Sequence, residues 1–581
     1  MRKITPQNLA KIPFPLNDVV TKVVPAPTEG WDAISPLASM DPKRAPIMDN
    51  WVPRPGWIEL RAGFVPWAWI GSSTPVNTLM VYRALGVERL FAAAGSHIFE
   101  VTNTGTTGTY TTPVSGLSDS HWQYVNFTPP LAATVIQCVN GIDRMQMFNG
   151  TSWLKEGTDF NITGLPAGLT SAQIINISAQ KRRFWYVLTN GSGAGSTVCA
   201  YMPTDAIQGA IAGSIDLGAL WTKGGYLVAI GDWTVDGGAG PQDYTVFLSS
   251  RGQVSIYAGT DPTNAAAWAL VATFDLSPPI SRRCMTRVGS DLGLITLQGI
   301  IPLSTALPFD PSADRSVAIT ARIQNAMADD ALDASANFGW QFLTYPSETL
   351  AFLNVPLVEN VQQVQLVMNT LTGAWCRFTG WNANCFEIFN DNLYLGGNDG
   401  TINWAYQGSL DLNTSISASV QCAFNYFDDP GRLKRITMVQ PLLTASGNIT
   451  PTISIDEDFA LSTQTASISI LSGGAQWDVG EWDVSLWAGG SMTINPWLSV
   501  EAIGHALAVH MSVNVTPQTA ILNQQIGEFD IGIFDSATFD SGISNLAPQL
   551  QINAFNTILE LGGFISLLLG ILLSCGERLI T

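Results

Sequence analysis

Asn392-Leu393-Tyr394-Leu395-Gly396-Gly397-Asn398-Asp399-Gly400-Thr401-Ile402-Asn403-Trp404 reads as two short β-rich runs on either side of a glycine turn. A tight hairpin needs positive φ at its turn, and Asp-Gly supplies it at low steric cost. The same unit recurs upstream. Leu90-Phe91 and Ile98 to Val101 flank Gly95-Ser96, and Met145 to Phe148 meets Asn149-Gly150 with Trp153 beyond. Val246 to Leu248 and Val254 to Tyr257 flank Arg251-Gly252, while Val367-Met368 and Trp375 to Phe378 flank Thr372-Gly373. Phe184 to Leu188, Leu292 to Leu297 and Leu350 to Val355 are further β-rich runs. One anchor from each run (Phe91, Met147, Phe184, Val246, Leu294, Ala351, Tyr394) returns at a mean spacing of about 50 residues, the period of propeller blades built from several short strands. The spacing is irregular and bounds the count at about six to eight blades.

Composition agrees with an all-β chain. Of 581 residues only 13% are charged, against about 25% in ordinary soluble domains. The 53 Gly and 32 Pro exclude a coiled coil or helix bundle, and 46% hydrophobic residues exclude a disordered tail. So sparing a surface predicts faces covered by other protein chains. Lys and Arg number 27 against 46 Asp and Glu, a net charge of −19, which argues against a grip on nucleic acid. An acidic wall does suit a conduit through which DNA slides.

Texture divides the chain into four. Residues 1–60 are Pro-rich and are expected to form an extended arm lying on other surfaces. Residues 61–410 hold the propeller rhythm. Residues 411–520 alternate apolar and polar side chains without that rhythm, as in Ile436 to Val439, Ile453 to Ile455 and His510 to Val515, and are expected to form a β-sandwich. Residues 521–581 are expected to be a tail that docks on a neighbour. Its apolar run, Leu561 to Leu573, is shorter than the roughly 20 residues of a spanning helix, so no membrane anchor is expected. Met1 to Pro15 lacks the apolar core of a secretory signal. Seven scattered cysteines read as buried free thiols of a protein made in the cytosol.

Few residues promise chemistry, and no catalytic, cofactor or metal residues are expected. His97, His121, His505 and His510 are the histidines, and the spacing of the last two separates them on a helix and on a strand. A Ser-His-Asp arrangement stays open, but no G-x-S-x-G elbow occurs. Gly191-Ser192-Gly193-Ala194-Gly195 lacks phosphate-loop spacing and reads as a flexible loop. Asp232, Thr234, Asp236, Gly237 and Asp243 follow the spacing of a calcium loop, although Thr234 and Asp243 are weak ligands and a glycine-rich interblade loop explains them as well. The carboxylates Asp456, Glu457 and Asp458, like Asp428 and Asp429, are neighbours on a turn, which seldom gives the two environments that acid/base work needs. Trp477-Asp478, Trp482-Asp483 and Trp487 recur every five residues, as do Phe529-Asp530, Phe534-Asp535 and Phe539-Asp540. They read as aromatic plugs of looped segments, or as a platform for stacking sugar rings.

Three stretches carry a resemblance. Asp49-Asn50-Trp51-Val52-Pro53 followed by Glu59 to Phe64, then Asn369-Thr370-Leu371-Thr372-Gly373-Ala374-Trp375 with Asn392 to Gly400, together with the Trp-Asp run, are similar to the tail-nozzle or tail-hub proteins of short-tailed bacteriophages, also called packaged-DNA stabilisation proteins. The resemblance implies a propeller-bearing virion protein, assembled in the host cytoplasm into a homo-oligomeric ring, a hexamer in that family. The ring would sit beneath the portal and adaptor, meet tail fibres or spikes, and extend the channel through which genomic DNA leaves without sequence-specific binding. Six chains of net charge −19 would together carry roughly 114 net negative charges, a field that discourages DNA from sticking. The apolar C-terminal run departs from the family pattern. A host-surface glycan binder using the Trp-Asp runs, and a propeller enzyme acting on polysaccharide through acidic and Arg side chains at its axis, are the alternatives.

Overall fold

The computed structural model describes residues 19–103, 111–130, 132–236, 241–264, 266–306, 317–445, 449–470, 492–516 and 550–561. Seven antiparallel sheets follow one another around a ring, beginning with the strands Val76–Ala84, Gln123–Phe127, Ile174–Gln180, Leu227–Asp236, Met285–Val288, Gln341–Tyr345 and Ala383–Phe389. Each of these first strands lies nearest the axis and packs on those of the neighbouring sheets, the seventh on the first. Among the described residues six sheets contribute four strands each to the ring and the fifth contributes three, Met285–Val288, Asp291–Thr296 and Gly299–Pro302. The chain is an all-β propeller, and the seven sequence anchors each fall in a different sheet, all but Met147 on its second strand. All five quoted glycine turns join adjacent strands. Gly400 shows why the residue matters: its φ is +79°, and an added Cβ would lie 1.9 Å from the Ser72 carbonyl oxygen.

The ring closes with a strand from the wrong end of the sequence. Phe64–Trp69, which precedes the first blade, adds to Thr401–Ala405 as the outer strand of the seventh. Closing a sheet ring this way satisfies an edge that would otherwise stay open.

Beyond the ring lies a two-sheet sandwich. The sixth blade runs on past Trp375–Phe378 through Ile47–Asp49 into Ile416–Gln421, Leu507–Val515, Thr452–Glu457 and Thr465–Ser467, a nine-stranded sheet. Opposite it stand Trp51–Arg54, Trp57–Leu60, Leu550–Leu561 and Lys434–Ala445, with Val19–Pro25 also on Leu550–Leu561 and with Met492–Ile494 and Leu498–Gly504 on Lys434–Ala445. Alternation places Ile453, Ile455, Val509, Met511 and Val513 of the first sheet, and Ile436, Val439, Leu443, Ile552, Phe555 and Leu559 of the second, in one core cluster. Each such side chain stabilises the fold by roughly 1.5–3 kcal/mol relative to exposure.

The terminal segments run extended, but on this chain's own sheets. Residues 19–60 supply four strands, and Pro53 fits because Trp51–Arg54 is an edge among the described residues, where a missing amide donor costs no ladder bond. Residues 550–561, expected to dock on a neighbour, pair instead between Lys434–Ala445 and Val19–Pro25, because Leu550, Ile552, Phe555 and Leu559 belong in this core. Residues 521–549 and 562–581 lie outside the described residues.

A buried cation braces the junction of propeller and sandwich. Arg61, fully enclosed, donates to both Asp411 oxygens at 2.8 and 2.7 Å and to Asn50 Oδ1 at 2.7 Å. It lies over the rings of Phe378 and Trp381 at 5.4 and 5.3 Å, and Trp381 donates to Asp411 at 3.1 Å. Asn50 in turn donates to Thr379 Oγ1 and the Ser417 carbonyl. Arg61→Ala leaves a buried carboxylate unpaired and is expected to cost about 3–5 kcal/mol, read as a lowered denaturation midpoint in urea.

Candidate functional site

The loop before the fifth sheet crosses the propeller axis. Ser281, at φ 63°, turns Arg282 and Arg283 inward. Arg283 donates to Thr78 Oγ1 at 3.1 Å and to the Trp122 carbonyl at 2.8 Å, and stands 4.8 Å from the Phe338 ring centre. Arg282 donates to the Asn140 carbonyl at 3.2 Å, and its own carbonyl accepts from Asn176 at 2.9 Å. One loop therefore ties the fifth sheet to the first, second and third sheets and to the approach to the sixth. Nearby, Tyr124 donates to Glu387 at 2.6 Å, and Arg83 donates to the same carboxylate at 3.2 Å and to the Ile388 carbonyl. Burial and the Glu387 charge push the Tyr124 hydroxyl well up, so it stays protonated and serves as a donor. Acidic and Arg side chains do gather at the axis, but each is spent on a protein partner.

A second cluster lies on the outer face of the nine-stranded sheet. Arg377 clasps Asp49 at 2.7 and 2.8 Å, Asp49 is the cross-strand partner of Ser419, and Ser419 shares a 2.8 Å hydrogen bond with His510 Nε2. His510 Nδ1 lies 3.2 Å from Asp456, whose side chain is 0% exposed. Asp456 also accepts the Ser462 amide at 2.8 Å and the Gln421 side chain. Burial alone would raise the Asp456 pKa, but the bonds from His510, Ser462 and Gln421 outweigh it and hold the carboxyl below its usual range. The result is an ionised carboxylate, an imidazole and a hydroxyl in line, the arrangement that activates a serine.

The other expected residues scatter. His97 sits beside Ser96 and Phe99, and His505 lies 3.8 Å from Asp458. Asp232, Thr234 and Asp236 lie along one strand, with Thr234 paired to Asp243 on the next and bonded to it at 2.7 Å. That stretch is a hairpin within the fourth blade, neither a wrapped calcium loop nor an interblade connection, and Gly237 to Gly240 lie outside the described residues. No group of three or more metal-type ligands occurs among the described residues. Gly191 to Gly195 is a turn capped by Asn190, whose Oδ1 accepts the amides of Ser192 and Ala194. Asp428 pairs with Lys22 at 3.0 Å. Six cysteines are buried and free, and burial pushes the Cys284 and Cys422 thiols up to about 12; Cys575 lies outside the described residues. The Trp-Asp and Phe-Asp runs also lie outside the described residues. Among the described residues no helix is long and apolar enough to cross a membrane.

In the sequence Asp456 reads as one of a turn cluster, and nothing there links it to Ser419 and His510. The available signal was alternation: Ser419, Asp456 and His510 all fall on the polar phase of their strands, while Ala418, Ile455 and Val509 fall on the core phase.

No family model matches the sequence, and no curated protein matches it. Among solved structures, a Bacteroides fragilis protein named as a candidate 6-phosphogluconolactonase aligns over 58% of this chain and 87% of its own, at 11% identity and a TM-score of 0.31. So low a score carries no inference about activity.

Near the axis, Asp119 accepts from His121 Nδ1 at 2.6 Å. Burial pushes its pKa up, but the hydrogen bond and charge of His121 outweigh this and leave it lowered. A depressed folded pKa adds stability that is present above the unfolded value of about 3.9 and is lost as pH falls through the folded one. The melting-temperature gap between the native chain and Asp119→Asn is therefore expected to be open at pH 6 and to close below about pH 4.

Proposed function

We propose that this chain is a structural subunit of a short-tailed phage tail, a nozzle or hub protein that assembles as a ring, a hexamer by resemblance, below the portal and adaptor. There it retains the genome and then conducts it. The observation that carries the reading is an apolar strand edge: among the described residues Val19–Pro25 pairs on one side alone, with Val19 60% and Val23 61% exposed. Unpaired amides and carbonyls beside apolar side chains are a template for another chain. Leu85, Val361 and Leu371, each on a hairpin tip, add exposed apolar points at 105%, 64% and 70%. A head-to-tail contact of this kind must close into a ring or grow into a fibre.

The blocked propeller axis supports the same reading. Arg282 and Arg283 cross it, so DNA would travel through a bore between copies and not through one propeller. A net charge of −19 per chain favours a lumen to which DNA does not adhere. Residues that carry the resemblance also converge: Asn50 binds Arg61, and Asn369 donates to the Pro53 carbonyl at 2.8 Å. Retention and conduction require assembly alone, with no chemistry and no membrane anchor. The partners are further copies of this chain, the adaptor, tail fibres or spikes, and genomic DNA.

Negative-stain images and sedimentation of the concentrated chain, with and without adaptor rings, test this. Closed rings are expected, and Val19→Lys with Val23→Lys should weaken self-association by about tenfold or more. A chain that stays monomeric even beside the adaptor overturns the reading.

A further inference from the structure

Residues 419, 456 and 510 come from three strands that stand side by side, Ile416–Gln421, Leu507–Val515 and Thr452–Glu457, so register alone aligns their side chains on one face. His510 is the cross-strand partner of both Gln421 and Ser454, which puts Ser419 and Asp456 on its two diagonals. We propose that Ser419, His510 and Asp456 form a hydrolytic site for short-chain carboxylic esters, with Ser419 as nucleophile, His510 as general base and Asp456 as the positioning residue.

With Asp456 ionised, His510 holds its proton on Nδ1 and offers the Nε2 lone pair to the Ser419 hydroxyl, 2.8 Å away. Ser419 Oγ attacks the ester carbonyl carbon as its proton passes to Nε2, and the carbonyl oxygen takes the displaced electron pair. Collapse breaks the bond to the alcohol oxygen, which leaves with the proton from His510. Water then attacks the acyl-Ser419 ester, giving up a proton to His510. The acid is released, and Ser419 recovers its proton from His510. The sum consumes one ester and one water and yields one acid and one alcohol.

The oxyanion needs donors, and the strand of Ser419 is paired on both sides, which commits its amides to ladders. Side chains must supply them. Asn514, on the same face opposite Ser417, accepts from Ser417 through Oδ1 at 3.4 Å, and its amide group, which has no partner among the described residues, is available for that task. The surroundings select the substrate. Ser417, Ser512 and Asn514 are exposed and His510 is 19% exposed. That hydroxyl-rich open face suits an acetyl-sized acyl group on a hydrophilic alcohol better than a lipid.

The test uses the full chain with p-nitrophenyl acetate and a fluorophosphonate probe, followed by peptide mass spectrometry. Expected are a covalent label on Ser419 and an initial burst of p-nitrophenol. The steady rate should fall about 100-fold or more in both Ser419→Ala and His510→Ala, with circular dichroism unchanged. Ser419→Ala removes one oxygen at a partly exposed position, so it keeps the test valid if Asp456→Asn does not fold. Hydrolysis that persists in Ser419→Ala, including a rate that falls only in His510→Ala as plain imidazole catalysis would, overturns the proposal. So does a folded chain whose Ser419 remains unlabelled. Ring formation by the same variants is independent of either result.

Discussion

The buried pair of Arg61 and Asp411 is the constraint on which the architecture turns. Taking two charges out of water costs several kcal/mol per ion before any attraction is counted. The site offsets that cost with a bidentate geometry, further acceptors at Asn50, Ala62 and Thr379, and two aromatic faces. The pair also fixes position. Arg61 stands just before the strand that closes the propeller, and Asp411 just after the last blade. Holding the two together brings Phe64–Trp69 to Thr401–Ala405, reinforced by the Phe64 amide on the Leu410 carbonyl at 3.0 Å. Ring closure and the propeller–sandwich junction therefore depend on the same contact.

That contact joins residues 350 positions apart, and the rest of the topology follows the same habit. Val19–Pro25 and Leu550–Leu561, from opposite ends of the sequence, are neighbours in one sheet. Long-range pairing of this kind must overcome loop-closure entropy before it gains stability, so such a chain folds slowly. The hairpins inside each blade are local and form early by comparison.

The two polar clusters use their charges differently. At the propeller axis, arginines and carboxylates bind carbonyls, hydroxyls and one another, which pins blades together and closes the centre. On the outer face of the sandwich, the Ser419, His510 and Asp456 line ends at a hydroxyl that is partly open to solvent. Buried, mutually satisfied groups rigidify, whereas a relay that terminates at the surface can act on something outside.

Glycine turns, β-branched runs and their period were enough to read an all-β propeller, because those signals are local: Asp399-Gly400 specifies its hairpin whatever surrounds it. The same local logic placed the sandwich strands at Ile453 to Ile455 and His510 to Val515. Local signals were silent on partners. Residues 550–561 alternate like any strand, and only the open position beside Lys434–Ala445 decides where they go. Ser419, Asp456 and His510 lie 37 and 54 residues apart, and no pattern in the sequence connects them. Cross-strand register, a property of the folded sheet, makes them one site. What the amino-acid order determined by itself was each strand and turn; which strands meet, and therefore which side chains can share a proton, was left to the tertiary structure, because hydrogen-bonded pairing across a sheet carries no mark in the sequence between its partners.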